Sequence, residues 1–179
     1  MSAIAGALAG QDWYLVGAQA ALLRGSRRLT SDVDVTVLPR GTPTEELVRR
    51  LAAHGLSLRV PDSADFVRQT RVLPAVHDMS GMPVDVVLGG PGLEEVFLQA
   101  AEEVSLGDLR IPVATAEHLI VMKLLAARPK DMQDAVAIAS VAEADLTEVE
   151  ALVEAIAAGL GEDDIRIALA ELRRQLAIR

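Results

Sequence analysis

The chain has no cysteine, few rings, a deficit of basic charge and no apolar run long enough to cross a bilayer. Without cysteine it can hold no disulfide, no thiolate metal site and no sulfur nucleophile, which fits a cytoplasmic setting. One Trp, one Tyr and two Phe leave few rings on which bases could stack. Seventeen Lys and Arg stand against 26 Asp and Glu, a formal charge of -9. That balance argues against sequence-blind binding of nucleic acid, because neutralising phosphates takes clustered cations. The opening "MSAIAGALAG" is apolar but short and lacks the basic start of a secretion signal. No stretch reaches the roughly 18 apolar residues of a membrane span. A soluble, cytoplasmic protein without membrane association is expected.

What is present is a large aliphatic content: 51% of the 179 residues are hydrophobic, mostly Ala, Leu, Val and Ile. A chain of this order buries roughly 70% of its unfolded surface, enough for one domain or a compact domain with a helical appendage. "WYLVGAQAALLRGS" reads as a strand turning at Gly17 into a short helix that ends at Gly25, and "DVDVTVL" as a strand stopped by Pro39. "TPTEELVRRLAAHG" carries helix signals, with Thr42 as cap, Pro43 in the first turn, Glu45 completing a capping box and Leu47 and Leu51 on the buried stripe. "QTRVLPAVHD" and "PVDVVLG" flank "MSGM" and predict two antiparallel strands, and "LGDLRIPV" predicts another strand at an edge. Beyond Thr115 the signals are helical, and the last helix is expected to bury Ile165, Ala168, Leu169, Leu172 and Leu176. These elements place a soft boundary near residue 113, between a mixed α/β half (1–113) and a helical half (114–179).

The chemistry concentrates in aspartates. Residues i and i+2 of a strand face one side with Cα atoms about 6.6 Å apart, so Asp32 and Asp34 are presented together. Asp85, inside the apolar run Val84 to Leu88, is costly to bury without a cation or donor. If the two strands pair, the three acids can meet around hard cations such as magnesium or manganese, an arrangement suited to phosphoryl and nucleotidyl transfer. Asp85 would then be the acid that favours deprotonation of the attacking hydroxyl. The competing assignment has Asp32 capping a turn, Asp34 facing water at a strand edge and Asp85 paired with an arginine. Lys123 is the only charge in "LIVMKLLAA" and requires an anionic partner or a path to solvent. Asp131 with Asp134 also reads as an N-terminal helix cap.

The frame around the first acids, "VGAQAALLRGSRRLTSDVDVTV", resembles the opening motif of the polymerase-β-like nucleotidyltransferase superfamily, a glycine turn, a short helix and Dx[D/E] on a strand. More closely, Gly25, Arg28, Thr30, Asp32 and Asp34 match the G-x-x-R-x-T-x-D-x-D pattern of the AbiEii group of bacterial nucleotidyltransferases, with Asp85 as the third acid. "HLIVMKLLAARPKDMQDAVAI" is similar to the same group's K-L-x-A-x-R-x-K-D-x-x-D element, matched by Lys123, Arg128, Lys130, Asp131 and Asp134. The resemblance implies an α/β (α+β) nucleotidyltransferase fold, a mixed sheet flanked by helices, with a C-terminal helical subdomain completing the nucleotide cleft. It implies Asp32, Asp34 and Asp85 as catalytic residues and metal ligands. It also implies Gly17, Ala18, Arg28, Thr30, Lys123 and Asp131 at the nucleotide, with Lys123 on a phosphate or, with the site empty, on an active-site acid. One departure stands out: Gly17-Ala18 replaces the usual Gly-Gly or Gly-Ser and loses a hydroxyl, although backbone N–H groups could still meet a phosphate.

The activity so implied is metal-dependent transfer of a nucleoside monophosphate from an NTP to a hydroxyl, in a toxin-antitoxin or phage-defence setting with a possible antitoxin partner. The acceptor is a tRNA 3′ end, a protein hydroxyl or a small molecule. Arg24, Arg27, Arg28, Arg128 and Lys130 could form a basic rim for RNA, while the acidic balance suits a polycationic small acceptor. The alternative from another class is a non-catalytic module that retains the fold as an antitoxin or interaction partner. "LGGPGLEE" lacks the spacing of a phosphate loop and reads as a turn into a helix. His54, His77 and His118 are scattered without metal-ligand spacing, with His54 beside Gly55 marking a helix end.

Overall fold

The structure is a computed structural model that describes every residue except Arg27, Arg28, Pro61, Asp62, Glu143, Glu162 and Arg179, and leaves aside the side chains of Ser63 and Leu160. Contacts divide the chain into two compact units, residues 1–19 with 30–114, and residues 20–29 with 115–179. The ten-residue segment before the aspartates thus groups with the C-terminal helices, which a single cut in the sequence does not express.

The first unit is built on a seven-stranded mixed sheet in the order β3-β4-β5-β2-β1-β7-β6. The strands are β1 (Asp12–Val16), β2 (Val33–Leu38), β3 (Leu56–Leu58), β4 (Val72–His77), β5 (Pro83–Leu88), β6 (Glu102–Leu106) and β7 (Leu109–Val113). β2 lies in the interior, antiparallel to β1 and parallel to β5, and Val35, Val37, Leu73 and Val86 are fully buried. Five of its six residues are buried, as suits a β-branched strand in the interior of a sheet. β4 and β5 form the expected antiparallel pair, with Pro74 opposite Asp85.

Two expectations change. The segment "LGDLRIPV" supplies β7, which lies between β1 and β6 and is not an edge, because the acidic "EEVSL" pairs with it as β6 and takes the outer position. Glu102, Glu103 and Ser105 on β6 are exposed, as an edge strand requires to resist pairing with other chains. The helix predicted from "TPTEELVRRLAAHG", α3 (Thr44–Ala53), has Pro43 at its N-cap without a side-chain cap hydrogen bond. Thr42 turns away and donates to Gln11 Oε1 at 3.0 Å, so the capping box does not form. Leu47 and Leu51 are buried as expected. The remaining helices of this unit are α1 (Ser2–Ala7), α4 (Ser63–Thr70) and α5 (Leu93–Ala100), while α2 (Gly17–Leu23) runs from the first unit into the second.

The second unit contains α6 (Ala116–Ala126), α7 (Pro129–Val141), α8 (Leu146–Leu160) and α9 (Asp164–Ala177). α6 packs on the other three, and Leu119, Ile120, Leu124, Ile138, Val149, Val153 and Leu172 form the core. Ile165, Ala168, Leu169 and Leu172 are buried along α9, with Leu176 half-buried. Among the described residues no helix is long and apolar enough to cross a membrane.

Candidate active site

Asp34 is the second residue of β2, directly opposite Asp85 on the parallel neighbour β5. Residues in register on adjacent strands point to the same face with backbones about 4.8 Å apart, so the two carboxylates stand side by side. Both are half-buried. Asp34 is therefore not at a strand edge, and the third acid is on the same side of the sheet as the second.

The glycine turn explains how Asp34 fits. Gly17 has φ +69°, and a Cβ built on it would fall 2.0 Å from Asp34 Oδ2. The carboxylate lies against bare backbone where β1 passes into α2, and any side chain at 17 would displace it. Gly17→Ala is expected to lose about 1–2 kcal/mol of stability from the left-handed backbone alone, and more from the displaced carboxylate. A thermal melt coincident with wild type would contradict this geometry. Ala18 follows as a buried residue of α2. Gly25, the first residue of the longer motif, has φ +100° and meets Val141 of α7 so closely that a Cβ would be 2.5 Å from its Cγ1. Arg28, expected at the nucleotide, lies outside the described residues, as does Arg27.

Asp32 precedes β2, and its Oδ1 accepts a hydrogen bond from the Thr30 hydroxyl. Asp85 is paired with Arg59, a residue the sequence did not single out. Arg59 follows β3 and reaches Asp85 from 26 positions away in the chain. Nothing in the linear pattern ties the two, since an arginine after a short strand reads as ordinary surface. Among the described residues no group of three acids or histidines is gathered closely enough to hold a metal ion. Asp34 and Asp85 form a pair, with Asp32 two residues upstream. Their donor chemistry, carboxylate oxygens crowded on one face, suits a hard divalent cation.

Lys123, Asp131 and Asp134 come together within the second unit. Ala127 takes a left-handed conformation that ends α6, Arg128 is extended as the residue before proline must be, and Pro129 occupies the first turn of α7. This corner folds the last turn of α6 onto the first turns of α7, where Asp131 and Asp134 share a face at i, i+3 spacing. Lys123 Nζ donates to Asp131 Oδ1 at 3.1 Å and to Asp134 Oδ2 at 3.0 Å. The side chains of Lys123, Asp131 and Asp134 are only 10%, 0% and 2% exposed. Arg128, 60% exposed, also donates to Asp131. Burial by itself would raise the Asp131 carboxyl, but hydrogen bonds from Arg128 and Lys123, with their charges, outweigh it and hold the group below its ordinary value. Asp131 is therefore not a helix cap: Arg128 occupies the N-cap position and no side chain caps it. The anionic partners of Lys123 are these two acids of α7.

Tyr14 faces the same side of β1 as Val16, the residue opposite Asp34. Burial pushes its phenol far above the ordinary range, so it stays neutral and offers no proton acceptor.

The whole chain, residues 1–179, matches the family described as nucleotidyl transferase AbiEii toxin, Type IV TA system. No curated protein gives a significant sequence match. Two solved structures share the fold. The antibiotic-resistance factor ANT(2'')-Ia, whose solution structure is described as having substrate-regulated conformation dynamics, is 13% identical with a TM-score of 0.51, over 99% of this chain and 92% of the other. An antigenic nucleotidyltransferase-like protein from Paracoccidioides brasiliensis is 16% identical with a TM-score of 0.52, over 89% and 84%.

Proposed function

The chain belongs to the AbiEii nucleotidyl transferase toxin family and is a nucleotidyltransferase, and from that premise we propose that it moves a nucleoside monophosphate from an NTP to a hydroxyl acceptor at the Asp34–Asp85 pair. The non-catalytic module considered from the sequence is set aside. The observation that carries the reading is the register of β2 and β5, which sets two half-buried carboxylates directly opposite each other without an intervening residue. Like charges in that position destabilise a sheet, and such an arrangement persists where a cation is to be held.

In this reading Asp34 and Asp85, with Asp32 upstream, would hold magnesium or manganese, which would neutralise triphosphate charge and polarise the α-phosphorus. The acceptor oxygen attacks that phosphorus, the bond to the bridging oxygen of the β-phosphate breaks, and pyrophosphate leaves. Asp85 takes the proton of the attacking hydroxyl at a carboxylate oxygen. Gly17 keeps the Asp34 carboxylate close to the turn into α2, and the Gly17-Ala18 backbone is the phosphate side of the site. Thr30 orients Asp32 through its hydroxyl. The buried Lys123 holds Asp131 and Asp134 and so fixes the α6–α7 corner, where Arg128 is an exposed cation.

The family description supports a toxin role with an antitoxin partner. For the acceptor, the charge of -9 favours a polycationic small molecule over a long RNA surface. Incubating the protein with each labelled NTP and magnesium, against pools of tRNA, lysate protein and aminoglycosides, tests this. Label entering one pool names the acceptor class, and label entering the tRNA pool alone would overturn the small-molecule preference. Failure of every NTP with every pool would remove the transfer reaction proposed here.

A further inference from the structure

Arg59 is attached to the sheet at both ends of its length. Its backbone N–H donates to Pro74 O at 2.8 Å, continuing the β3–β4 ladder one step past Leu58. Its Nε donates to Ala75 O at 3.0 Å, and its terminal Nη2 donates to Asp85. The side chain therefore lies across β4 and delivers a guanidinium to one member of the carboxylate pair. Two features separate this contact from an ordinary surface ion pair. Asp85 is the residue directly opposite Asp34, so a positive charge there offsets the repulsion that the register creates. The pair is also open to water, with the Arg59 and Asp85 side chains 39% and 36% exposed, so another cation can reach the same carboxylate. The buried Lys123 pairs, by contrast, cannot exchange in this way.

We propose that Arg59 is an internal counter-ion that competes with the divalent cation for Asp85 and thereby sets the metal affinity of the site. The proposal rests on Asp85 being a metal ligand, as read above. A cation that binds Asp85 must displace Nη2 or bind beside it, and in both cases it works against a fixed positive charge. The bond from Nε to Ala75 O keeps the displaced guanidinium close, so the competition is intramolecular and does not dilute away. Thr30, the partner of Asp32, is neutral and imposes no such opposition. One carboxylate of the site is thus already paired in the absence of metal, and a cation reaches it only by competing with Arg59.

The test is a manganese titration of the intact protein without nucleotide, followed by electron paramagnetic resonance of the free ion. Arg59→Gln, which keeps a hydrogen-bonding group and loses the charge, is expected to tighten manganese binding roughly three- to tenfold. Arg59→Lys, which keeps the charge, is expected to stay near wild type, and circular dichroism of both variants shows whether the fold is intact. Asp85→Asn runs in parallel to separate the two ideas. If Asp85→Asn weakens binding while Arg59→Gln leaves it unchanged or weakens it, the role of Arg59 is overturned and Asp85 remains a ligand. If Asp85→Asn leaves manganese binding unchanged, the reading of Asp85 itself fails, and the Arg59 proposal with it.

Discussion

Replacing Lys123 with methionine is expected to destabilise the protein by about 3–5 kcal/mol, the range seen when one partner is removed from a buried ion pair. The size follows from what would be left behind. Asp131 and Asp134 are both almost fully buried, and without Nζ they face each other across one turn of α7. Arg128, itself largely exposed, still pairs with Asp131 and offsets part of that charge. For a chain of this length about 2–4 °C of melting temperature accompanies each kcal/mol, so a fall of roughly 6–20 °C is expected. The triple variant Lys123→Met, Asp131→Asn, Asp134→Asn should recover much of the loss, because it removes the buried charges along with their partner. The pH dependence has a definite sign. The folded Asp131 carboxyl lies below its ordinary value, so its stabilising contribution is complete above that ordinary value and is lost as pH falls through the lowered one. Asp131→Asn should therefore flatten the acid limb of the stability profile. A Lys123→Met protein melting within a degree or two of wild type would show that the network contributes little.

Asp34→Ala is expected to do the reverse, leaving the fold and removing the reaction. Loss of one of the carboxylates proposed to hold the metal should lower nucleotidyl transfer by at least about 10³-fold, comparable with other groups that stabilise charge in a transition state. Stability should stay level or rise by a few tenths of a kcal/mol, because the substitution relieves a like-charge pair set directly across two strands. Label transfer and thermal unfolding on the same preparation check both halves. Label transfer surviving in Asp34→Ala would place the chemistry elsewhere, and a collapsed melting curve would make Asp34 structural.

These opposite expectations trace to what different kinds of residue reveal in sequence. Asp34 is legible because the apolar pattern of its strand is local, whereas Asp32 precedes β2 and a period of two does not place it. The helices after Thr115 and the buried stripe of α9 are legible for the same reason, since a 3.6-residue repeat is visible within a short window. Where the outcome depended on what lay alongside, local signals misled. Thr42 had the chemistry of a cap, but Gln11 was nearby and took its hydroxyl, leaving Pro43 at the helix start. "LGDLRIPV" reads by itself as an edge strand, but "EEVSL" pairs outside it.

The sequence alone determined the identities and local spacing of the acids, the glycine turn before them and the helical character of the last third, because each depends on neighbours a few residues away. Tertiary structure decided which charges became partners: Asp34 with Asp85 by strand register, Asp85 with Arg59 across β4, and Lys123 with two acids around the corner at Ala127. Those choices depend on strand order and helix packing, and a buried or crowded charge takes whichever opposite charge the fold brings within hydrogen-bonding reach.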